Sequence, residues 1–167
     1  VDATSFRLGP ASPRSLAGGE FGDRIAEWDA QEARVAKVKA QLRPDQLDAY
    51  FQLVEHPVLA LANLYRLYYA VAWNRTLAAN NDPRANVFAD RAEAAFKRDQ
   101  AISDQYHAIA NGKWDGMMLQ VHIGYTNWQQ PEKNIMPAVK RVSGTADAAT
   151  VLAQLKPFKH TGPNEPR

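Results

Sequence analysis

Residue types capable of recognition chemistry concentrate in one segment of the 167-residue sequence. Gly112-Lys113-Trp114-Asp115-Gly116-Met117-Met118 is followed by His122-Ile123-Gly124-Tyr125-Thr126-Asn127-Trp128-Gln129-Gln130-Pro131. Large aromatic rings stand beside side-chain amides here. That pairing suits sugar recognition, because a ring face packs on sugar C–H groups and an amide can donate to and accept from hydroxyls. The same residues suit a second use, pinning an irregular segment against a helix bundle or a neighbouring domain, and packing is the commoner use of such side chains. The candidate contact residues for either role are Trp114, Tyr125, Trp128, Gln129 and Gln130.

The other reactive types do not assemble into a site. None of His56, His107, His122 and His160 has a His, Asp or Glu at a convincing metal-ligand spacing. The chain has no cysteine, which excludes disulfides and thiolate metal sites. A Gly-x-Ser-x-Gly nucleophile elbow is absent. Asp23 and Glu27 fall one turn apart on a predicted helix with Arg24 alongside. Glycosidase carboxylates must face each other across a substrate-sized gap, so this pair reads as a solvated charge cluster. Asn74-Arg75-Thr76 matches a glycosylation acceptor but lies within a helical pattern. The expectation is no catalytic residue, no metal and no cofactor.

Composition narrows the class. Hydrophobic residues make up 46% and charged residues 23%, ordinary globular usage for a chain that fits one domain with its own core. Lys and Arg number 20 against 18 acids, interspersed along the chain, for a net charge of +2. A nucleic-acid binder gathers its basic residues on one face, so no such partner is expected. Residues 1–14 lack the apolar core of a signal peptide, and the start at Val1 suggests a mature, trimmed or excised product. Pro57–Trp73 is the most apolar stretch, but it is short for a membrane span and carries Arg66 at its middle. A buried core helix accounts for it better.

The elements that must position the segment are helical. Phe21, Ile25, Trp28, Val35, Val38 and Leu42 repeat at helical spacing and predict a helix near 20–42. Leu47, Tyr50, Phe51, Val54, Val58, Leu61, Tyr65, Tyr68 and Ala72 predict a second near 44–79, kinked at Pro57. Leu59, Leu64, Leu67 and Val71 give it a second apolar face, which places it centrally. Asn80-Asn81-Asp82 reads as a turn, with Asp82 capping a third helix near 83–110. That helix carries Phe88, Ala92, Ala95, Ile102, Tyr106 and Ile109, and Asn111-Gly112 stops it. Short connections imply antiparallel neighbours, and a hairpin at 80–82 brings Arg66 towards Asp99 as its expected partner. Within the segment, Trp114, Met117, Met118 and Ile123 should point inward. Thr145 reads as the cap of a short helix over 146–155. The fold class is all-α: an antiparallel helical bundle followed by an irregular Trp/Gln/Pro-rich segment. Residues 1–19 read as a linker or the end of a preceding domain, 20–155 as the bundle and 156–167 as a linker or tail.

The segment resembles glycoside hydrolase family 115, the xylan α-1,2-glucuronidases. That family has Gly-Lys-Trp-Asn-x-Met-Met, then His-Ile-Gly-Tyr-Thr-x-Trp-Gln-Gln-Pro, then Asn-x-Met-Pro. Here these are Gly112-Lys113-Trp114 with Met117-Met118, His122 to Thr126 with Trp128 to Pro131, and Asn134-Ile135-Met136-Pro137. Phe51-Gln52-Leu53-Val54, Pro57-Val58 and Asn74-Arg75 extend the similarity upstream, to about residues 20–140. Asp115 and Leu119 depart from the family's Asn and Asp. The resemblance implies large, exported, multidomain enzymes that remove glucuronic acid or its 4-O-methyl ether from xylan. It implies that the catalytic acids lie on a barrel domain upstream and that this chain is the helical bundle between that barrel and a C-terminal β-domain. The implied partners are those two domains, a second copy in a homodimer, and xylan; the implied location is periplasmic or extracellular. The alternative is a stand-alone helical interaction or carbohydrate-binding module.

Overall fold

A computed structural model describes residues 19–125 and 128–155. Thr126, Asn127, nearly all of the lead-in and the tail from Lys156 lie outside the described residues. The described chain is all-α, a helical bundle without strands. Helix α1 spans Gly19–Lys39; a 3-10 turn at Pro44–Gln46 leads into the single turn of α2, Leu47–Tyr50. A π-helical turn, Phe51–Glu55, joins α2 to α3, His56–Ala78; then come α4, Arg84–Gly112, and α5, Ala148–Ala153.

The expected kink at Pro57 takes the form of that π turn. Pro57 has no N–H to give to the carbonyl four residues back, and its ring crowds that carbonyl. Widening the preceding turn, with the His56 N–H reaching the Phe51 carbonyl, carries the chain past the obstruction without ending the helix. α3 then runs antiparallel to α4. Their junction is a left-handed helix stop at Asn81 (φ 52°), with Asp82 N–H on the Leu77 carbonyl at 3.1 Å and Asn81 N–H on the Ala78 carbonyl at 3.1 Å. The Asp82 carboxylate accepts from the Arg84 N–H at 2.9 Å, but α4 begins at Arg84 with Pro83 as its N-cap, one residue later than the sequence position suggests.

α3 is the central helix, packed by α1 on one side and α4 on the other. Leu67, Val71, Trp73 and Leu77 meet Phe88 and Ala92 in the main core. Trp73 and Phe88 stack with ring centroids 5.9 Å apart. α1 contributes Phe21 and Ile25 to that core and sets Trp28 against Tyr65. It ends at Lys39, short of Leu42, and leaves Val38 exposed. A second cluster of Phe51, Tyr106 and Ile109 closes the far end, with Leu59, Trp114 and Met118 against it.

Two expectations about the helices fail. Arg66 does not pair with Asp99; it bonds Asp29 and Glu32 on α1, the latter at 2.8 Å. The reason is register. Asn63 donates to the Ala95 carbonyl and Asn74 to the Ala85 carbonyl, which sets residue 66 opposite 92–93 and residue 99 opposite 59–60. Arg66 and Asp99 are thus about two turns apart, and α1 supplies nearer acids. The short C-terminal helix starts at Ala148, not 146, and its cap is Asp147, not Thr145. The Asp147 carboxylate accepts the Thr150 N–H at 2.7 Å, a task for which a carboxylate outranks a threonine hydroxyl.

Candidate functional site

The described residues of the Trp/Gln/Pro-rich segment, 113–125 and 128–137, form a strap that turns back over α4. α4 has non-helical backbone from Ile109, and Ala110, Asn111 and Gly112 all take left-handed conformations. Gly112 adopts its positive φ without penalty, whereas Ala110 does not. An outside contact holds Ala110 in place: its N–H donates to the Asp48 carboxylate of α2 at 2.8 Å.

Tight turns then carry the chain back over the helix, Asp115 N–H to Gly112 and Met117 N–H to Trp114. Trp114 and Met118 pack on the Phe51–Tyr106–Ile109 cluster, and Ile123 is fully buried in the main core. Met117 breaks the inward expectation, being 58% exposed. The turn at 114–117 puts neighbouring positions on opposite sides, so the adjacent Met118 takes the inward place.

Two motif elements of the segment lock to each other. The Asn134 side-chain oxygen accepts the N–H groups of His122 (2.9 Å) and Ile123 (3.0 Å), and Ile135 N–H donates to the Ile123 carbonyl at 3.1 Å. Gly124 lies under Ile135 at φ 94°; a Cβ there would come within 2.6 Å of the Ile135 Cβ. Tyr125 closes its own loop through a hydroxyl bond to the Val121 carbonyl.

Beyond the strap, two asparagines fasten the following extended stretch. Asn74 exchanges hydrogen bonds with both the carbonyl (2.7 Å) and the N–H (2.8 Å) of Lys140. Asn86 does the same with Val142 at 2.9 and 3.0 Å. Sequence reasoning missed both. The Asn-x-Thr motif at Asn74 drew attention to a sugar acceptor, yet this side chain is fully buried.

His122 also escaped sequence reasoning as a partner. Its Nε2 lies 3.0 Å from each Asp99 carboxylate oxygen, and its Nδ1 lies 2.9 Å from the Gln120 carbonyl. Asp99 is the buried acid of α4. The pair spans 23 residues, with no local spacing that could announce it. The arrangement is not that of a catalytic dyad, because both ring nitrogens are already committed to acceptors and neither is left to take a proton from a nucleophile. His107 is held differently: its Nε2 accepts the Met118 N–H at 3.1 Å.

The five sequence candidates divide. Trp114 is half-buried and packs inward. Tyr125 is half-buried. Trp128 is 88% exposed, and Gln129 and Gln130 are exposed beside it. Met117, Leu119 and Ile135 are further exposed apolar side chains of the same strap. Among the described residues no group of three or more His, Asp or Glu could hold a metal ion, and no helix is long and apolar enough to cross a membrane. Compared with models of known protein families and with curated proteins, the sequence matches none.

Proposed function

We propose that the chain is a non-catalytic helical module of a xylan α-1,2-glucuronidase, whose strap offers the Trp128 surface to a neighbouring domain. The observation that carries this reading is the contrast within the strap. Its frame is clamped by Ile123, Asn134 and Gly124, while Trp128 stands 88% exposed on that frame. A loop clamped at its base that presents a bare tryptophan suits a contact surface. The resemblance to family 115 supplies the enzyme context. Its two departures fall on exposed positions, the Asp115 side chain at 79% and Leu119 at 71%, where a change disturbs no buried contact. The catalytic acids then belong to a barrel domain outside this chain.

Glucuronoxylan hydrolysis tests the reading. The purified chain releases no glucuronic acid, whereas a polypeptide from the same reading frame that includes an upstream barrel does. Release by the 167-residue chain alone, or a reading frame that encodes no such barrel, overturns it. The second outcome would favour a stand-alone binding module, for which the same Trp128, Gln129 and Gln130 surface is the argument.

A further inference from the structure

We propose that His122 and Asp99 form a proton-operated latch: the strap around His122 and Ile123 is fastened to α4 while the His122 ring is an imidazolium, and loosens when the ring loses a proton. The inference does not depend on the glucuronidase reading.

Hydrogen-bond chemistry carries it. The Asp99 carboxylate and the Gln120 carbonyl can only accept, and they face the two different nitrogens of one ring at 3.0 and 2.9 Å. A neutral imidazole has a single N–H, so one of these contacts would set lone pair against lone pair. Only the doubly protonated ring satisfies both. Three further fastenings of the strap are neutral. Ile123 sits in the core, Asn134 clamps through its amide oxygen, and Met118 donates to the ring nitrogen of His107. His107 accepts through Nε2, and its Nδ1 is 3.9 Å from the exposed Asp115, too far for a hydrogen bond. Glu132 and Lys133 of the strap are exposed, and among the described residues neither has an ion-pair partner. Among the described residues, the charged tie between strap and bundle is therefore His122 on Asp99.

The groups facing His122 are few. α4 presents Asp99, and α3 presents His56, whose ring packs edge-on against Tyr106 with centroids 4.7 Å apart. Burial lowers the His56 pKa; Asp99 opposes that effect and the His122 charge adds to it, so His56 takes a proton less readily than an ordinary imidazole. The Asp99 hydrogen bond holds His122 above the ordinary 6.5, burial opposes it, and the Gln120 carbonyl adds to it. A raised folded-state pKa means that the latch is fully made below about 6.5 and is lost as pH rises through the raised value. Each unit by which His122 titrates above 6.5 corresponds to a tenfold change in the closing equilibrium of the strap.

The test is an NMR titration of the His122 ring in the intact chain, run beside amide hydrogen exchange at Ile123 and Ile135. His122 should titrate above 6.5. Protection at both amides, corrected for intrinsic exchange, should fall tenfold per unit of that elevation as pH crosses it, while amides within α3 hold. His122→Gln should remove the pH dependence. If that variant fails to fold, the wild-type titration and exchange decide alone. A ring that titrates at or below 6.5, or strap protection that stays flat through its titration, overturns the latch.

Discussion

Asn74 holds Lys140 on both sides of its Cα, donating from its side-chain nitrogen to the Lys140 carbonyl and accepting the Lys140 N–H at its side-chain oxygen. The exchange copies what two paired strand residues do for each other, in a chain whose described residues contain no strand. Asn74 also donates to the Ala85 carbonyl, so one buried amide joins α3, the start of α4 and the extended stretch after the strap. Asn74→Ala should cost about 1–3 kcal/mol, because buried partners lose their bonds without gaining water. In a domain of this size that corresponds to a melting temperature lower by roughly 2–4 °C per kcal/mol. Asn74→Asp should be no better, since a carboxylate cannot donate to either carbonyl. A melting temperature unchanged in both variants would show that the amide is dispensable.

Arg66 and Glu32 predict an acid limit to stability. Burial works against the charged form of Glu32, but hydrogen bonds and charge from Arg66, with help from Arg98, bring its pKa below the ordinary 4.5. A depressed folded-state pKa contributes stability that is complete above about 4.5 and is lost as pH falls through the lower value. Glu32→Gln should reduce stability at pH 7 by roughly 1–3 kcal/mol. The difference from wild type should shrink in urea unfolding as the pH drops below 4. A constant difference across that range would remove Glu32 from the acid response.

The helices were legible in the sequence because each carries its own period and its own punctuation. Pro57 marked the distortion, and Asn80-Asn81-Asp82 marked the turn, since these residues act on the backbone within one turn of themselves. Tertiary partnerships were not legible. Arg66 lay too far from Asp99 because the α3–α4 register is set by Asn63 and Asn74, whose bonds to backbone carbonyls leave no mark on a periodicity. The exposed Trp128 surface was foreseen in part, but Met117 was expected inside. An irregular segment has no period from which facing can be read, and adjacent Met117 and Met118 look alike until the turn assigns one of them to the core. The link between His122 and Asp99 spans two elements of different kinds and has no local signature.

Ala110 offers a gain of stability. Its left-handed conformation (φ 51°) crowds Cβ against the backbone at about 1–2 kcal/mol, and the bond from its N–H to Asp48 holds it there. Glycine removes the crowding and loses roughly 0.5–1 kcal/mol to unfolded-chain entropy. Ala110→Gly should therefore stabilise the chain by up to about 1.5 kcal/mol, read as a shift in the urea midpoint. Asp48→Ala, which removes the outside restraint, should destabilise it. A destabilised Ala110→Gly variant would show that the site is not strained.

Gly124 and Ile135 test the frame of the strap. A Cβ on Gly124 would meet the Ile135 Cβ at 2.6 Å and the Ile135 carbonyl oxygen at 2.8 Å, at a φ that disfavours any side chain. The strap would have to lift. Gly124→Ala should increase hydrogen exchange at His122, Ile123 and Ile135, while α3 retains its protection. Ile123→Ala should act more widely, at about 2–5 kcal/mol, because Ile123 belongs to the main core. Met117→Ala, at an exposed position, should stay within about 0.5 kcal/mol of wild type. Equal losses at Ile123 and Met117 would contradict the facing assigned to them.

Trp128 separates the two uses of the surface. At 88% exposure it contributes little within this chain, so Trp128→Ala in the isolated module should change stability by less than about 0.5 kcal/mol. In the full-length glucuronidase proposed above, the outcomes diverge. If Trp128 packs against a neighbouring domain, truncating it should weaken domain association by 2 kcal/mol or more, the scale of a buried tryptophan at an interface, or about thirtyfold. KM for polymeric xylan would then stay near wild type. If Trp128 meets sugar, KM for polymeric xylan should rise while short substrates are unaffected, because only the polymer would reach beyond the proposed catalytic barrel. The expected result is the first. Met117, Leu119 and Ile135 are exposed on the same strap, and branched or linear aliphatic side chains suit a protein neighbour better than a sugar ring, which wants aromatic faces and amides. A selective rise in KM for the polymer would reverse the assignment and make Gln129 and Gln130 the next residues to substitute.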